Sequence, residues 1–315
     1  MTFRRGHLEY FVAVAEEGQI TSAARRLGVA QPALSQAMAQ LESETGLRLL
    51  ERHARGVKLT PAGESFYAKA RLAVAATGDA LSAARSLARA QQGTIEFGFV
   101  GAPPSIEGRM EMEGFAMAYP DIEVRYRDLP FPTRSTSAWM RDVDVAACHL
   151  PPADEAMWIK VIRREPRIAL VPRGHPLAER EELEVAELLG ETYIGFAPAV
   201  DPAWAGFWSL DDHRGGPPER VTHDEASNPQ EVLAALSGSG AVTVVPRAAA
   251  NVLSNVLTEI AAVPLRDASP SRIALVGHRD RRNQLVAALL SYAEVVVAAA
   301  TARSADGDGR RAAAG

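Results

Sequence analysis

Two helical repeats of apolar residues meet at a short turn early in this chain. Ala23, Ala24 and Leu27 fall at i, i+1 and i+4, while Leu34, Met38 and Leu41 fall at i, i+4 and i+7, so each repeat buries one face. Thr21 is placed to cap the first helix, and Gly28 to end it in the left-handed region that glycine adopts without strain. Gln31 and Pro32 restart the chain, with proline where a helical amide lacks a partner anyway. The second repeat turns Gln31, Ser35, Gln36 and Gln40 outward. A helix-turn-helix lays such a row in the DNA major groove, where glutamine and serine read base edges. A plain helical hairpin would fit the same spacing.

The pattern then shortens. Residues 46–63, GLRLLERHARGVKLTPAG, hold two extended runs around Gly56, with Arg48, Arg52, Arg55 and Lys58 against the single acid Glu51. Beside the helix pair this reads as a basic β-hairpin wing that grips phosphates; alone it would read as a solvated loop. From Pro61 to Gln92 helical spacing returns. Phe66, Ala70, Val74, Thr77, Leu81, Ala84 and Ala88 make a small-residue stripe along a rod of about 45 Å. Such a stripe needs a partner, either the same helix of a second subunit or the chain's own next domain.

After Thr94 the period changes to two. Ile95–Val100 and Ile122–Tyr126 read as strands flanking a helix through Met110, Phe115 and Met117, which predicts α/β architecture with a mostly parallel sheet. Further strands are expected at 143–148, 167–172, 193–196, 242–245 and 272–278. Helices are expected near 185–189, 230–237, 248–253 and 283–300, and a short helix with a loop within 203–218. The tail 301–315 reads as disordered.

Charge sharpens this division. The chain carries a net −5, yet residues 1–92 hold 12 Lys/Arg against 8 Asp/Glu, a net +4 that leaves −9 on the remainder. Positive charge belongs to the helix-turn-helix end, where a polyanion would bind.

These residues carry a family resemblance. Leu8, Phe11, Ala23, Ala24, Leu27, Gln31, Pro32, Ser35, Leu41, Glu42, Gly46, Leu47, Arg52, Leu59, Thr60 and Gly63 match, in type and spacing, the amino-terminal domain of LysR-type transcriptional regulators. Gln36 departs from the family's frequent arginine, Gln19 from its serine and Leu50 from its phenylalanine. The first change favours adenine, which glutamine pairs in bidentate fashion. The resemblance implies a winged helix-turn-helix DNA-binding domain (1–60), a linker and dimerisation helix (61–92), and a two-subdomain periplasmic-binding-protein-like α/β effector domain (93–300). Its first subdomain would span about 93–165 and 270–300 and its second about 166–268, with crossings near 163–168 and 265–271. Fainter landmarks support this reach: IEFGFVG, AYPDIEV, DVDVAA, ALVPRGHPLA and LAALSGSGAVTVVP.

DNA contacts then fall to Thr21, Gln31, Pro32, Ser35, Gln36, Gln40, Arg52, Arg55 and Lys58. A cleft between subdomains, at the carboxyl ends of strands, would hold a small molecule. Its walls would come from Ala102, Pro103 and Ser105 after the first strand, Phe131 and Thr133 after the second, Phe196, and Asn228 and Gln230 at a helix start. Where relatives offer a hydroxyl this chain has Ala102, so only Ser105 supplies one. Asn228 opens a capping box, and its helix terminus suits an acidic effector or serves only as a cap. Phe196, Trp204, Phe207 and Trp208 suit either an aromatic ligand or a core.

Other functions are poorly served. The glycines at 98 and 101 lack the third glycine of a dinucleotide loop, the histidines stand apart, and no nucleophile elbow appears. The chain is therefore expected to be neither an enzyme nor a carrier of cofactors or metals. Cys148 is a lone cysteine in a strand-like run, hence a buried thiol rather than a disulfide switch. Without a leader or a membrane span the compartment is expected to be the cytoplasm. The expected protein is a ligand-responsive regulator, a homodimer through its linker helix and a homotetramer overall, that binds double-stranded DNA and a carboxylate or aromatic acid. The alternative is a DNA-binding regulator with a vestigial cleft.

Overall fold

The computed structural model describes residues 5–53, 56–100, 106–133, 139–149, 155–256 and 258–312. Contacts divide the chain into two units, Met1–Leu81 and Ser82–Gly315.

The first unit holds α1 (Arg5–Glu17), α2 (Ile20–Leu27), α3 (Gln31–Thr45), the hairpin β1 (Leu50–His53) and β2 (Gly56–Leu59), and the start of α4 (Pro61–Gln91). Phe11, Val14, Ala23, Ala24, Leu34, Met38, Leu41 and Leu49 form its core. The two alanines leave room for α1 and α3 to approach α2, while the leucines and methionine of α3 fill the space beneath. Gly28 closes α2 in the left-handed conformation, φ 67°. Thr21 does not cap α2. The helix begins at Ile20, after Gln19, because Ile20 is drawn into the core; Thr21 therefore lies in the first turn, exposed. The hairpin pairs Leu50 with Leu59 and Arg52 with Val57. Two anchors fix it. Glu42 accepts the amides of Leu49 and Leu50 at 2.7 and 3.0 Å, and Val57 N–H donates to the Gly18 carbonyl at 2.7 Å. Gly56, at φ 142°, lies so close to the Gly18 carbonyl oxygen that a Cβ there would overlap it.

Helix α4 buries different faces along its length. Ala70, with Phe66 and Val74, packs on the first unit's core. In the second unit Ser82, Ser86 and Ala90 are buried instead. Ser82 donates to the Arg141 carbonyl, Asn283 donates to Ser86 at 3.2 Å, and Arg89 clasps Asp144 at 2.6 and 3.1 Å. The expected stripe thus does not bury its far half on this chain: Leu81, Ala84 and Ala88 are exposed, as are Leu72 and Leu87. Small serines that both pack closely and hydrogen-bond took the inward face, a choice that hydrophobic spacing does not register.

The second unit contains β3 (Thr94–Val100), α5 (Ile106–Ala118), β4 (Glu123–Leu129), β5 (Val145–His149), β6 (Met157–Glu165) and β7 (Arg167–Pro172). It continues with α6 (Val185–Leu188), α7 (Pro202–Trp208), α8 (Asp211–Arg214), α9 (Pro229–Ser239), β8 (Thr243–Pro246), α10 (Arg247–Val256), β9 (Ile260–Pro264), β10 (Ser271–His278) and α11 (Gln284–Ala312). One sheet runs β4-β3-β5-β10-β6 and the other β8-β7-β9. The chain passes from the first sheet to the second between β6 and β7 and returns between β9 and β10, so two crossings join the subdomains.

The expected mostly parallel arrangement holds only for β4, β3 and β5. Strand β10 is antiparallel to β5 and β6, and the second sheet is wholly antiparallel. Only β3–α5–β4 is a local crossover unit; the other pairings join distant segments, whose direction local pattern does not encode. Strands β6 and β9 were not anticipated, and residues 193–196 form only isolated bridges to Val221, Val242 and Ala226. The 203–218 stretch yields two short helices. Helix α11 runs on to Ala312, into the segment that the sequence reads as a tail.

Alternation within β10 and β5 serves both sheet faces. Val145 and Leu275 pack with Phe115, Val286 and Leu289, while Ala146, Cys148, Ala274 and Val276 pack with Trp139, Met140 and Val143. Both faces are covered, which explains the unbroken apolar run before Cys148. Cys148 is buried, and burial pushes its thiol up to about 12.

Candidate nucleic-acid interface and effector cleft

Helix α3 divides as its period requires. Leu34, Ala37, Met38 and Leu41 are buried; Gln31, Pro32, Gln36 and Gln40 are exposed and Ser35 is half-buried. Gln31 donates to Ser35 at 3.0 Å, and Gln40 to Glu44 at 3.1 Å, so both amides are held against the helix rather than free to swing. Gln36 is the exposed polar residue between them. Arg52 and Lys58 are exposed on the hairpin, whose docking to Glu42 and Gly18 fixes where they stand; Arg55 lies outside the described residues. Arg26 is engaged by Glu16 and Glu17 at 2.8 and 3.2 Å, which ties α2 to α1. Glu42, the wing's anchor, was visible in the sequence only as a matching position.

The second surface lies where the two sheets' subdomains meet. Ala102, Pro103 and Ser105 lie outside the described residues. The segment after β4 reaches into the second subdomain: Phe131 N–H donates to the Ser227 carbonyl and Asp201 N–H to the Pro132 carbonyl, both at 2.8 Å. Thr133, half-buried, bridges Val200. Phe131 is buried, with Trp204 4.5 Å and half-buried Phe196 5.8 Å from its ring, and Phe196 stands 5.9 Å from Trp204. These rings form a wall packed on itself.

Asn228 proves to be a cap. Its Oδ1 accepts Glu231 N–H at 3.0 Å, while Glu231 accepts the Ser227 amide and hydroxyl at 2.6 and 2.8 Å. Those bonds, the Ser227 amide first, hold the Glu231 carboxyl below its ordinary range. The α9 terminus thus already has a carboxylate of its own chain beside it. Gln230 is exposed beside it.

Sequence reasoning named Trp208 but not the polar cluster beside it. Trp208 closes α7, and its ring meets His149, at the end of β5, edge-on at 5.5 Å. His149 Nδ1 shares a 2.5 Å hydrogen bond with Ser271 Oγ, and Nε2 lies 3.5 Å from Glu165. Burial, then the charge of Arg163, lowers its pKa to about 4, so the ring is neutral near pH 7. Glu165 and Ser271 each belong to a crossing. Deeper, fully buried Arg167 bonds Asp212 at 2.8 and 3.1 Å, Ser269 through both its carbonyl and its hydroxyl at 2.8 Å, and the Phe207 carbonyl at 2.7 Å. No local motif announces these partners, which are dozens of residues apart.

Among the described residues no group of three or more His, Cys, Asp or Glu is placed to hold a metal ion. No described helix is long and apolar enough to cross a membrane.

Residues 6–64 match the family profile described as bacterial regulatory helix-turn-helix protein, lysR family, and residues 91–296 match the LysR substrate binding domain. The chain belongs to the LysR family. It is 32% identical over 250 residues to the HTH-type transcriptional regulator AlsR of Bacillus subtilis (strain 168), covering 77% of this chain and 80% of that protein. It is 34% identical over 201 residues to the uncharacterized HTH-type transcriptional regulator YnfL of Escherichia coli (strain K12), covering 64% and 68%. The crystal structure of full-length BenM shares the fold, with TM-score 0.52 and 24% identity over 95% of this chain and 98% of that one. This LysR-type protein is therefore a DNA-binding transcriptional regulator with an effector-binding domain, and not an enzyme.

Proposed function

We propose that Gln31, Ser35, Gln36 and Gln40 read base edges, with Thr21 and Pro32 at the rim of the interface, while Arg52, Arg55 and Lys58 hold phosphates on either side. The exposed row on α3, fixed beside a docked basic hairpin, carries this reading. The exposed Leu72, Leu81 and Leu87 on α4 support a homodimer through that helix, since leucines left in water on a 31-residue helix favour pairing. The working assembly is a homotetramer in the cytoplasm.

The effector is a carboxylate or an aromatic acid held between the subdomains, with the segments of Ala102, Pro103 and Ser105 and of Phe131 and Thr133 supplying one wall, Asn228 and Gln230 the wall opposite, and Phe196 beside them. A second reading, a cleft that has lost its effector, is favoured by one observation: Phe131, Phe196 and Trp204 already pack on one another. A thermal-shift series with benzoate and aliphatic carboxylates separates them, because a ligand that binds only the folded state raises Tm by mass action. Footprinting upstream of the regulator's own gene, with and without the same acids, tests DNA and effector together. Loss of protection in both conditions would sink the autoregulatory form of the reading.

A further inference from the structure

One short helix touches both the aromatic wall and the two crossings. At its start, Asp201 caps Trp204 N–H at 2.9 Å and donates its own amide to the Pro132 carbonyl, so α7 is tied to the segment that carries Phe131. Trp204 lies against Phe131 and Phe196, and Trp204 meets Trp208 at 6.0 Å. At the far end Trp208 meets His149, which engages Ser271 of one crossing and Glu165 of the other. Phe207 lends its carbonyl and its ring to Arg167, 4.2 Å above that ring, and Arg167 reaches Ser269 of the second crossing.

Two features mark this helix as held in a costly position. Leu210, two residues beyond it, sits at φ 64°, the one non-glycine with positive φ among the described residues, and its side chain is fully buried. Trp208 Nε1 is buried without a hydrogen-bond partner. A strained residue just beyond the helix and an unused donor at its end are what a helix with a second available position would show.

We propose that α7 is a lever: displacement of the Phe131–Phe196 wall moves Trp204 and Trp208, and the Trp208–His149 contact passes the movement to Ser271 and Glu165, resetting the angle between subdomains. Trp208 and His149 are positioning residues in this device. It deepens the cleft reading above, since the displacing agent is whatever enters the cleft.

Buried Cys148 leaves introduced cysteines free to be labelled selectively. Full-length protein carrying Met117→Cys and Glu219→Cys, one on each subdomain, is spin-labelled and diluted into unlabelled protein, and the inter-label distance distribution is measured. Phe196→Ala should shift that distribution, and His149→Phe, which keeps a ring but loses both polar contacts, should abolish the shift. Ser271→Ala, a milder change at the same junction, should abolish it too and serves if His149→Phe does not fold. An equal Phe196→Ala shift in the His149→Phe or Ser271→Ala background, or no shift from Phe196→Ala at all, overturns the lever. Benzoate keeps the two readings apart. If it fails to raise Tm while the Phe196→Ala shift still depends on His149, the lever stands and the aromatic-acid effector falls.

Discussion

Replacing Gly56 by alanine should disable the wing while sparing base recognition. Gly56 has φ 142°, and a Cβ there would overlap the Gly18 carbonyl oxygen, which is backbone and has no rotamer to swing away. Strain at such a φ costs roughly 1–3 kcal/mol. Displacing Gly18 also strains the 2.7 Å bond from Val57 N–H, worth about 1 kcal/mol more. About 2–4 kcal/mol is enough to undock a hairpin of two four-residue strands held by that bond and by Glu42. Arg52 and Lys58 then lose their fixed positions. Each phosphate contact contributes about 0.9 to the slope of log affinity against log salt, so losing two should flatten the slope by about 2. The core of α3 is untouched, so the preferred sequence should not change. Fluorescence anisotropy across a salt series, on the upstream region and on a random duplex, measures both. An unchanged slope, or a changed sequence preference with the slope intact, would refute the argument that the wing is a phosphate clamp positioned by Gly56.

Gln36→Arg should move base preference at one position from adenine toward guanine, read by selection from a randomised duplex library; an unaltered selected motif would remove Gln36 from the readout row. Arg167→Lys should cost about 2–3 kcal/mol, below the usual loss for a broken buried pair because Asp212 is one-third exposed and can hydrate. Urea denaturation followed by tryptophan fluorescence checks it, and a change under about 0.5 kcal/mol would show that Asp212 and Ser269 do not depend on the fork. His149 has an unfolded pKa of 6.5 and a folded value of about 4, so the unfolded chain takes up its proton first. Stability is complete above 6.5 and should fall as pH drops toward 4, by up to roughly 3 kcal/mol, a slope that His149→Phe should remove. A wild-type profile identical to that variant's would mean that His149 is hydrated in the native state.

Much of the DNA-reading end was legible in the residues. Gly28, Pro32 and the 3.6-residue spacing of Leu34, Met38 and Leu41 are local signals, satisfied by neighbours a turn away, and α2 and α3 follow them. Thr21 failed as a cap because Ile20, one residue earlier, gains more by entering the core than a hydroxyl gains by capping. Phe131, expected on a cleft wall, is buried against Phe196 and Trp204, since spacing shows that a phenylalanine will be covered without showing by what.

By itself, the sequence determined the helix-turn-helix, its outward polar row, the uneven charge, the long helix and the strand–helix–strand opening of the effector domain, all through interactions a few residues apart. Only the tertiary structure decided which strands pair antiparallel, that serines rather than leucines face inward along the end of α4, that Glu231 fills its own helix terminus, and that His149 lies between Trp208 and both crossings. Those outcomes depend on contacts between segments up to 197 residues apart, as from Ser86 to Asn283. Their energies arise only when the chain has closed on itself, and no local periodicity records them.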